Sequence, residues 1–419
     1  MNVYNNLNIK SLAIFNLLIL NNYFLHLIGV DIFFLKFNLI LIFCCFIFCF
    51  YINLNIKNIL VLFLIIFYLI IILGSPTQDH DARSVWLFHG KRIYYDRNIY
   101  SQLDGYAEFS NNDYNPFSAS LSATLAHLIN NWNEIFPKFS NLMIATPAIL
   151  FINFFLKNKI EKIFLFLAFL FIFEKKIVNG EMDAILSLYI ISVILSYFLL
   201  ISKANKTKWE FLYIFLLAST FTSILLLIKT EAIISFLFIL LIFVIFKYCK
   251  IIKEKIKIFF FVIIIPFLFY FHWKFKVFNS NVKNYYFNNI DFEILQHKLF
   301  NVKIHFEIIE GLVLNKAVFI SLIFFFIMSK KFINYSYKKN SYYLTLTSKI
   351  DLRSKIFLFV IIYCIFYFIF LFIIFLIGFG QQETKLSIEQ GAFRYTQPIA
   401  FSLCYISCLF LEKKNKDVN

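Results

Sequence analysis

The sequence predicts an all-α, polytopic membrane protein. Hydrophobic residues make up 61% of its 419 positions, 60 of them Phe. The mean hydropathy is +0.77, outside the range of a soluble domain. The apolar residues fall into long runs broken by short polar connections, and the basic connections alternate in a one-sided way. Together these predict membrane spans with a defined orientation.

Each run must be helical, because lipid offers no partner to an open backbone group. By the usual length criterion about twelve spans are predicted, near 11–29, 33–52, 57–74, 141–156, 160–174, 183–202, 210–228, 232–246, 257–272, 316–329, 355–378 and 397–411. The first is expected to be retained, since Lys10 is followed by apolar residues to Val30 without an A-x-A cleavage pattern. The whole chain 1–419 then forms one polytopic membrane domain.

Lys157 to Lys159, Lys203 to Lys208, Lys247 to Lys257, Lys330 to Lys355 and Lys413-Lys414 fall on one side of this arrangement. The positive-inside tendency makes that side the cytoplasm, with both termini there, in a cytoplasmic (inner) membrane. Most acids collect on the other side. The formal charge of +16 is dispersed between spans, so membrane lipids and topology account for it and no nucleic-acid partner is expected. The cysteines (Cys44, Cys45, Cys49, Cys249, Cys364, Cys404 and Cys408) form no CxxC pair and sit in or beside apolar runs. They read as small packing residues.

Two outer segments are long, 75–140 and 272–315. The first closes with a predicted helix capped by Asn115, with Pro116 in its first turn. Its apolar positions Phe117, Leu121, Leu125, Leu128, Trp132 and Ile135 trace one face, leaving Ser118, Ser122, His127, Asn130 and Asn133 largely off it. That pattern predicts an interfacial helix with its polar side to water. The second segment is mixed and expected to be partly helical.

Chemistry-bearing residues cluster at the outer ends of spans. Asp79-His80-Asp81 follows the run Ile56 to Gly74, and carboxylates at the mouth of a span are usually functional. An ionised Asp there can act as a base, with the second acid orienting a substrate or holding a cation; Asp81 alternatively caps a short helix through Trp86. Arg83, Lys91 and Arg92 follow, suited either to a substrate phosphate or to lipid phosphates. Lys229-Thr230-Glu231 interrupts two apolar runs at the outer surface, either as a plain connector or as a headgroup contact. Asp183 starts the next outer span entry, as a dipole-favoured acid or as a carboxylate facing the same cavity. Arg394 is the sole Arg beyond Arg353 in a Lys-rich chain, and its planar fork suits a phosphate or an interfacial anchor beside Tyr395. No P-loop, GxGxxG, GxSxG or HExxH occurs, which removes support for ATP-driven transport, Rossmann-type nucleotide binding and serine-hydrolase chemistry.

An acidic pair after an early span, followed by a loop with interfacial helices, resembles the GT-C class of integral-membrane glycosyltransferases. Asp79-His80-Asp81-Ala82-Arg83-Ser84-Val85-Trp86 is similar to the D-x-E-A-x-R-x-W segment of lipid-linked-oligosaccharide glucosyltransferases and to the shorter D-E segment of protein mannosyltransferases, with the Arg one place earlier here. Lys229-Thr230-Glu231 looks like a K-x-E-G turn with Ala232 in place of Gly. Phe393-Arg394-Tyr395 before Pro398 resembles an R-Y-x-x-P entry to a late span.

The resemblance implies a polyprenyl-phosphate sugar donor and a glycan, lipid or protein acceptor. It makes Asp79 the catalytic carboxylate and Asp81 its acidic partner. Donor-phosphate contacts are expected from Arg394, Lys229, Lys91 and Arg92, and substrate contacts from Arg83, Trp86, Asp183, Glu231 and His127. Some members of the class use a divalent metal; Mg or Mn at Asp79 and Asp81 stays open. Two other readings compete: a polysaccharide polymerase or ligase of the O-antigen type, and a non-enzymatic transporter or flippase. The latter predicts ionisable residues deep within spans and internal symmetry.

Overall fold

The computed structural model describes residues 3–54, 58–77, 80–101, 105–106, 110–156, 158–202, 208–247, 256–280, 282, 292–338, 352–377, 391–409 and 411. Asp79 and residues 281 and 283–291 of the 272–315 segment lie outside these residues, as do the Lys-rich stretches 203–207 and 339–350.

Among the described residues every regular element is helical, and no strand occurs. The helices are α1 (Val3–Leu27), α2 (Ile32–Ile52), α3 (Ile59–Gly74), α4 (Leu87–Asp96), α5 (Phe117–Ile129), α6 (Phe139–Phe154), α7 (Lys159–Ala168), α8 (Asp183–Ser202), α9 (Lys208–Ile228), α10 (Ala232–Lys247), α11 (Ile256–Asn279), α12 (Phe292–Phe300), α13 (Val302–Val313), α14 (Lys316–Lys338) and α15 (Leu352–Ile377), followed by Gln397–Cys408. Every apolar run read as a span therefore holds a helix.

Among the described residues four helices are long and apolar enough to cross a membrane: Ile32–Ile52, Asp183–Leu200, Lys208–Ile228 and Arg353–Ile377. A fifth is added if the bent pair α13–α14 is taken as one span. Several others, such as α3 and α6 with 16 residues each, reach only about 24 Å at 1.5 Å per residue, less than a hydrocarbon core of about 30 Å.

The chain divides into two compact units. The first comprises 1–152, 175–237 and 252–289. Its centre is α8, buried along its whole apolar length and packed on α9, while α9 also packs on α1 and α11. A bundle this apolar gains little from helix association in lipid, so polar groups between helices matter more. Such groups are present. Thr124 Oγ1 donates to Asn22 Oδ1 at 3.0 Å and contacts His26 Nε2 at 2.8 Å, tying α5 to α1. Tyr189 of α8 donates to the Ile144 carbonyl of α6 at 2.8 Å. Lys138 Nζ donates to the Ser75 carbonyl at 2.6 Å, so the two ends of the 75–140 segment are fastened together.

The helix expected near residue 117 forms, but with a different environment. Ser118, Ser122 and His127 are buried with Phe117, Leu121 and Leu125, because α5 packs against α1, α2 and α4, and the helix ends at Ile129, short of Trp132 and Ile135. Ser122 on its polar side shares a 2.7 Å hydrogen bond with the Ser140 hydroxyl inside the bundle, so α5 is no water-facing interfacial helix. Nor does Asn115 cap it. Pro116 occupies the cap position, while the Asn115 amide donates to Tyr23 Oη at 2.9 Å.

The second unit comprises 153–174, 238–251 and 290–419. Helix 397–408 is buried throughout and packs against α7, α14 and α15, with Phe401 against Phe169 and Phe173. An ion pair between Arg353 and the fully buried Glu161, 3.3 Å apart, and the 2.8 Å bond from Arg353 to the Leu409 carbonyl fix the base of α15.

Candidate functional site

The site is assembled in the first unit, from segments far apart in sequence. The chain enters through a π-helical turn, Ala82–Trp86, that runs directly into α4. Such wide turns recur at functional sites. Asp81 lies within this helical stretch and makes no side-chain cap hydrogen bond; its carboxylate is about one-third exposed, 3.7 Å from His80 Nδ1.

The turn Asn179-Gly180 passes over the same place. Gly180 has φ +109°, and a Cβ added there would sit 2.7 Å from the Cβ of Ala82. Only glycine permits both the backbone conformation and the close approach. Asn179 Oδ1 accepts from the Glu181 amide at 3.0 Å, closing the turn that launches α8 at Asp183.

Asp183 and Lys229 form a buried ion pair, 2.8 Å apart with each side chain 3% exposed. Lys229-Thr230-Glu231 is a tight connector between α9 and α10, in which the carbonyls of all three residues accept amides of the following turn. Glu231 points elsewhere than Lys229: its Oε1 accepts from Tyr114 Oη at 2.8 Å. Tyr114 in turn packs against Trp86, ring centroids 5.5 Å apart. Next to Tyr114, the Asp113 carbonyl accepts from Trp273 Nε1 at 3.0 Å, and its carboxylate is 3.6 Å from Lys274 Nζ.

Four of the residues singled out in the sequence are thus connected. Trp86 reaches Glu231 through Tyr114, Glu231 shares a turn with Lys229, and Lys229 holds Asp183, three residues from the Gly180 contact to Ala82. Glu231 Oε2 and Thr230 Oγ1 are buried atoms without hydrogen-bond partners. Trp86 and Tyr114 are buried, 4% and 6% exposed, so the arrangement is a packed aromatic pair that holds one oxygen of the Glu231 carboxylate.

Other expected site residues are employed differently. Arg83 pairs with Glu134 at 3.8 Å on the surface, and Lys91 is exposed. Arg92 is buried and binds loop carbonyls, those of Ile99 at 2.9 Å and of Ser101, so its fork stabilises the loop after α4 and is spent there. His127 is removed from the cluster and packs against Tyr94 at 4.7 Å; burial, with Arg97 and Lys36 near, holds its imidazole well below the ordinary histidine pKa. Arg394 belongs to the second unit, where its guanidinium lies 5.7 Å from the Tyr395 ring centroid.

Tyr114, Asp113, Trp273 and Lys274 were missed in the sequence. A signal existed: Trp is used only four times in the chain, and Asp113-Tyr114 immediately precedes the Asn-Pro start of a helix. Among the described residues no group of three or more His, Cys, Asp or Glu side chains is gathered as a metal site would need. No protein-family model matches the chain, and neither a curated protein nor a solved structure does.

Proposed function

We propose that the protein is a membrane glycosyltransferase moving a sugar from a polyprenyl-phosphate donor to an envelope glycan, lipid or protein acceptor on the outer face of the cytoplasmic membrane. In this reading the chain crosses the bilayer about twelve times with both termini inside, and the 75–140 segment faces out with the outer ends of α8 to α10. The observation that carries the reading is the linkage of Trp86, Glu231, Lys229 and Asp183 beside the turn that follows Asp81. These residues come from three of the four segments that carry the GT-C resemblance or were read with it. The free oxygen of the Glu231 carboxylate also suits a polyhydroxylated ligand, whose hydroxyls donate hydrogen bonds to it.

The reaction is a single displacement. The acceptor oxygen forms a bond to the anomeric carbon as the bond from that carbon to the donor phosphate oxygen breaks, inverting the configuration. Asp79 takes the acceptor hydroxyl's proton, and the polyprenyl phosphate leaves with the bonding electron pair. The charge of the departing phosphate is met by a cation on the outer face, for which the resemblance offers Lys229 or Lys91. Asp81 orients the acceptor or, with Asp79, holds a divalent cation.

The test is transfer activity in membranes with a panel of polyprenyl-phosphate sugars. Asp79→Asn is expected to abolish transfer while leaving protein level and donor binding intact, and Glu231→Gln to weaken substrate binding. Unchanged transfer by Asp79→Asn rejects the catalytic assignment.

A further inference from the structure

Helix α13 (VKIHFEIIEGLV) has three distinct faces. At about 100° per residue, Ile304, Ile308 and Leu312 fall together, and Ile308 and Leu312 are buried, packed toward α15. Val302, Phe306, Ile309 and Val313 form a second stripe, within which Val302, Phe306 and Ile309 are 63%, 67% and 40% exposed. Lys303, Glu307 and Glu310 form the third. A helix whose exposed surface is half apolar and half charged belongs to neither bulk water nor bulk lipid.

Its setting decides between the two. Helix α13 is bent 70° from the apolar helix 316–329 across the junction Leu314-Asn315, and Asn315 Oδ1 accepts from the Ala317 amide at 3.0 Å to start α14 there. With α14 along the bilayer normal, α13 lies only about 20° from the membrane plane. Its 12 residues span about 18 Å, too short to cross a core of about 30 Å. The apolar stripe also continues into neighbouring exposed apolar residues: Leu314 at the junction and Phe319, Ile323 and Phe326 on α14. On the other side α12 adds exposed Phe292 and Leu299. The element is held in place by His305, which contacts the Lys298 carbonyl at 3.0 Å and packs against Phe372 of α15.

We propose that α12–α13 is an interfacial element that inserts the stripe Val302, Phe306, Ile309 and Val313 among the lipid headgroups and upper acyl chains, with Lys303, Glu307 and Glu310 in water. The charged stripe has no excess of positive charge, and Lys303 pairs with Glu307 at 4.0 Å. Attachment is therefore apolar and independent of anionic headgroups, unlike that of a basic amphipathic helix. The proposal rests on residence in a membrane and not on sugar transfer.

The unmodified protein, reconstituted in phosphatidylcholine vesicles carrying a photoreactive group high in the acyl chain, tests this. After irradiation, adducts mapped by mass spectrometry are expected on Val302, Phe306 and Ile309. A water-soluble amine reagent is expected to modify Lys303, and adding phosphatidylglycerol should leave the adduct yield unchanged. Adducts all round α13 with Lys303 protected overturn the proposal in favour of a crossing helix. Absence of adducts on Phe306 and Ile309 overturns it in favour of a protein-covered face, and a yield that rises with phosphatidylglycerol overturns the apolar mode of attachment.

Discussion

Replacing Lys229 with Met tests the centre of the site. Lys229 and Asp183 are each 3% exposed and 2.8 Å apart, so removing the ammonium takes the countercharge from a carboxylate that water cannot reach. Breaking a buried pair in this way costs about 3–5 kcal/mol, whereas exchanging both partners for apolar residues of similar volume is near neutral or stabilising by about 1–4 kcal/mol. Lys229→Met and Asp183→Leu are each expected to destabilise the protein by the first amount, and the double variant to recover most of it. The coupling across the cycle should therefore reach several kcal/mol. Because polytopic proteins commonly unfold irreversibly, the readout is the unfolding rate in detergent over a temperature series. Additive effects, with the double variant worse than either single one, would refute the pairing argument. Transfer activity separates structure from function: a double variant that is stable but inactive assigns the charges to the reaction.

Further outcomes follow from the same geometry. Gly180→Ala adds a Cβ 2.7 Å from that of Ala82 at φ +109°. It is expected to cost about 1–3 kcal/mol, with Ala82→Gly relieving the clash but not the backbone strain in thermal-unfolding measurements. Arg92→Lys loses one arm of the fork that binds the Ile99 and Ser101 carbonyls; about 1–3 kcal/mol of local stability should go, seen as faster amide exchange around 97–101. His89, buried with Nε2 donating to the Ser110 carbonyl at 3.0 Å, is pushed down from 6.5 to about 4, by burial first and then by Arg92. Above the ordinary histidine range it is neutral both folded and unfolded, so its contribution is intact there. As pH falls the unfolded chain takes up the proton first, so about 3 kcal/mol is lost between pH 6.5 and 4, and His89→Gln should flatten that limb of a stability–pH profile.

Helix positions were legible in the residues, since a run of apolar side chains in lipid has one backbone solution. The position of Asp81, Trp86, Asp183, Lys229 and Glu231 at or near helix ends was legible for a related reason: charges interrupting apolar runs have few places to go. The character of α5 was not. Ser118, Ser122 and His127 read as a wetted face because polarity along a helix states a preference for partners, and in a folded bundle these include Ser140 and the Pro137 carbonyl for Ser122 and the Tyr94 ring for His127 as well as water. Arg92 misled in the same way: its fork matches a phosphate, and two loop carbonyls equally well.

The sequence by itself determined that this chain is helical, with runs apolar enough to suit a membrane, and which residues are chemically unusual in it. Only the tertiary structure decided that Asp183 takes Lys229 across 46 positions, that Tyr114 joins Trp86 to Glu231, and that α13 turns 70° from α14. The physical reason is that hydrophobic periodicity acts within one helix, through the repeat of its backbone. Pairing between helices depends on which neighbours pack and on what close contacts, such as that of Gly180 with Ala82, allow them to approach.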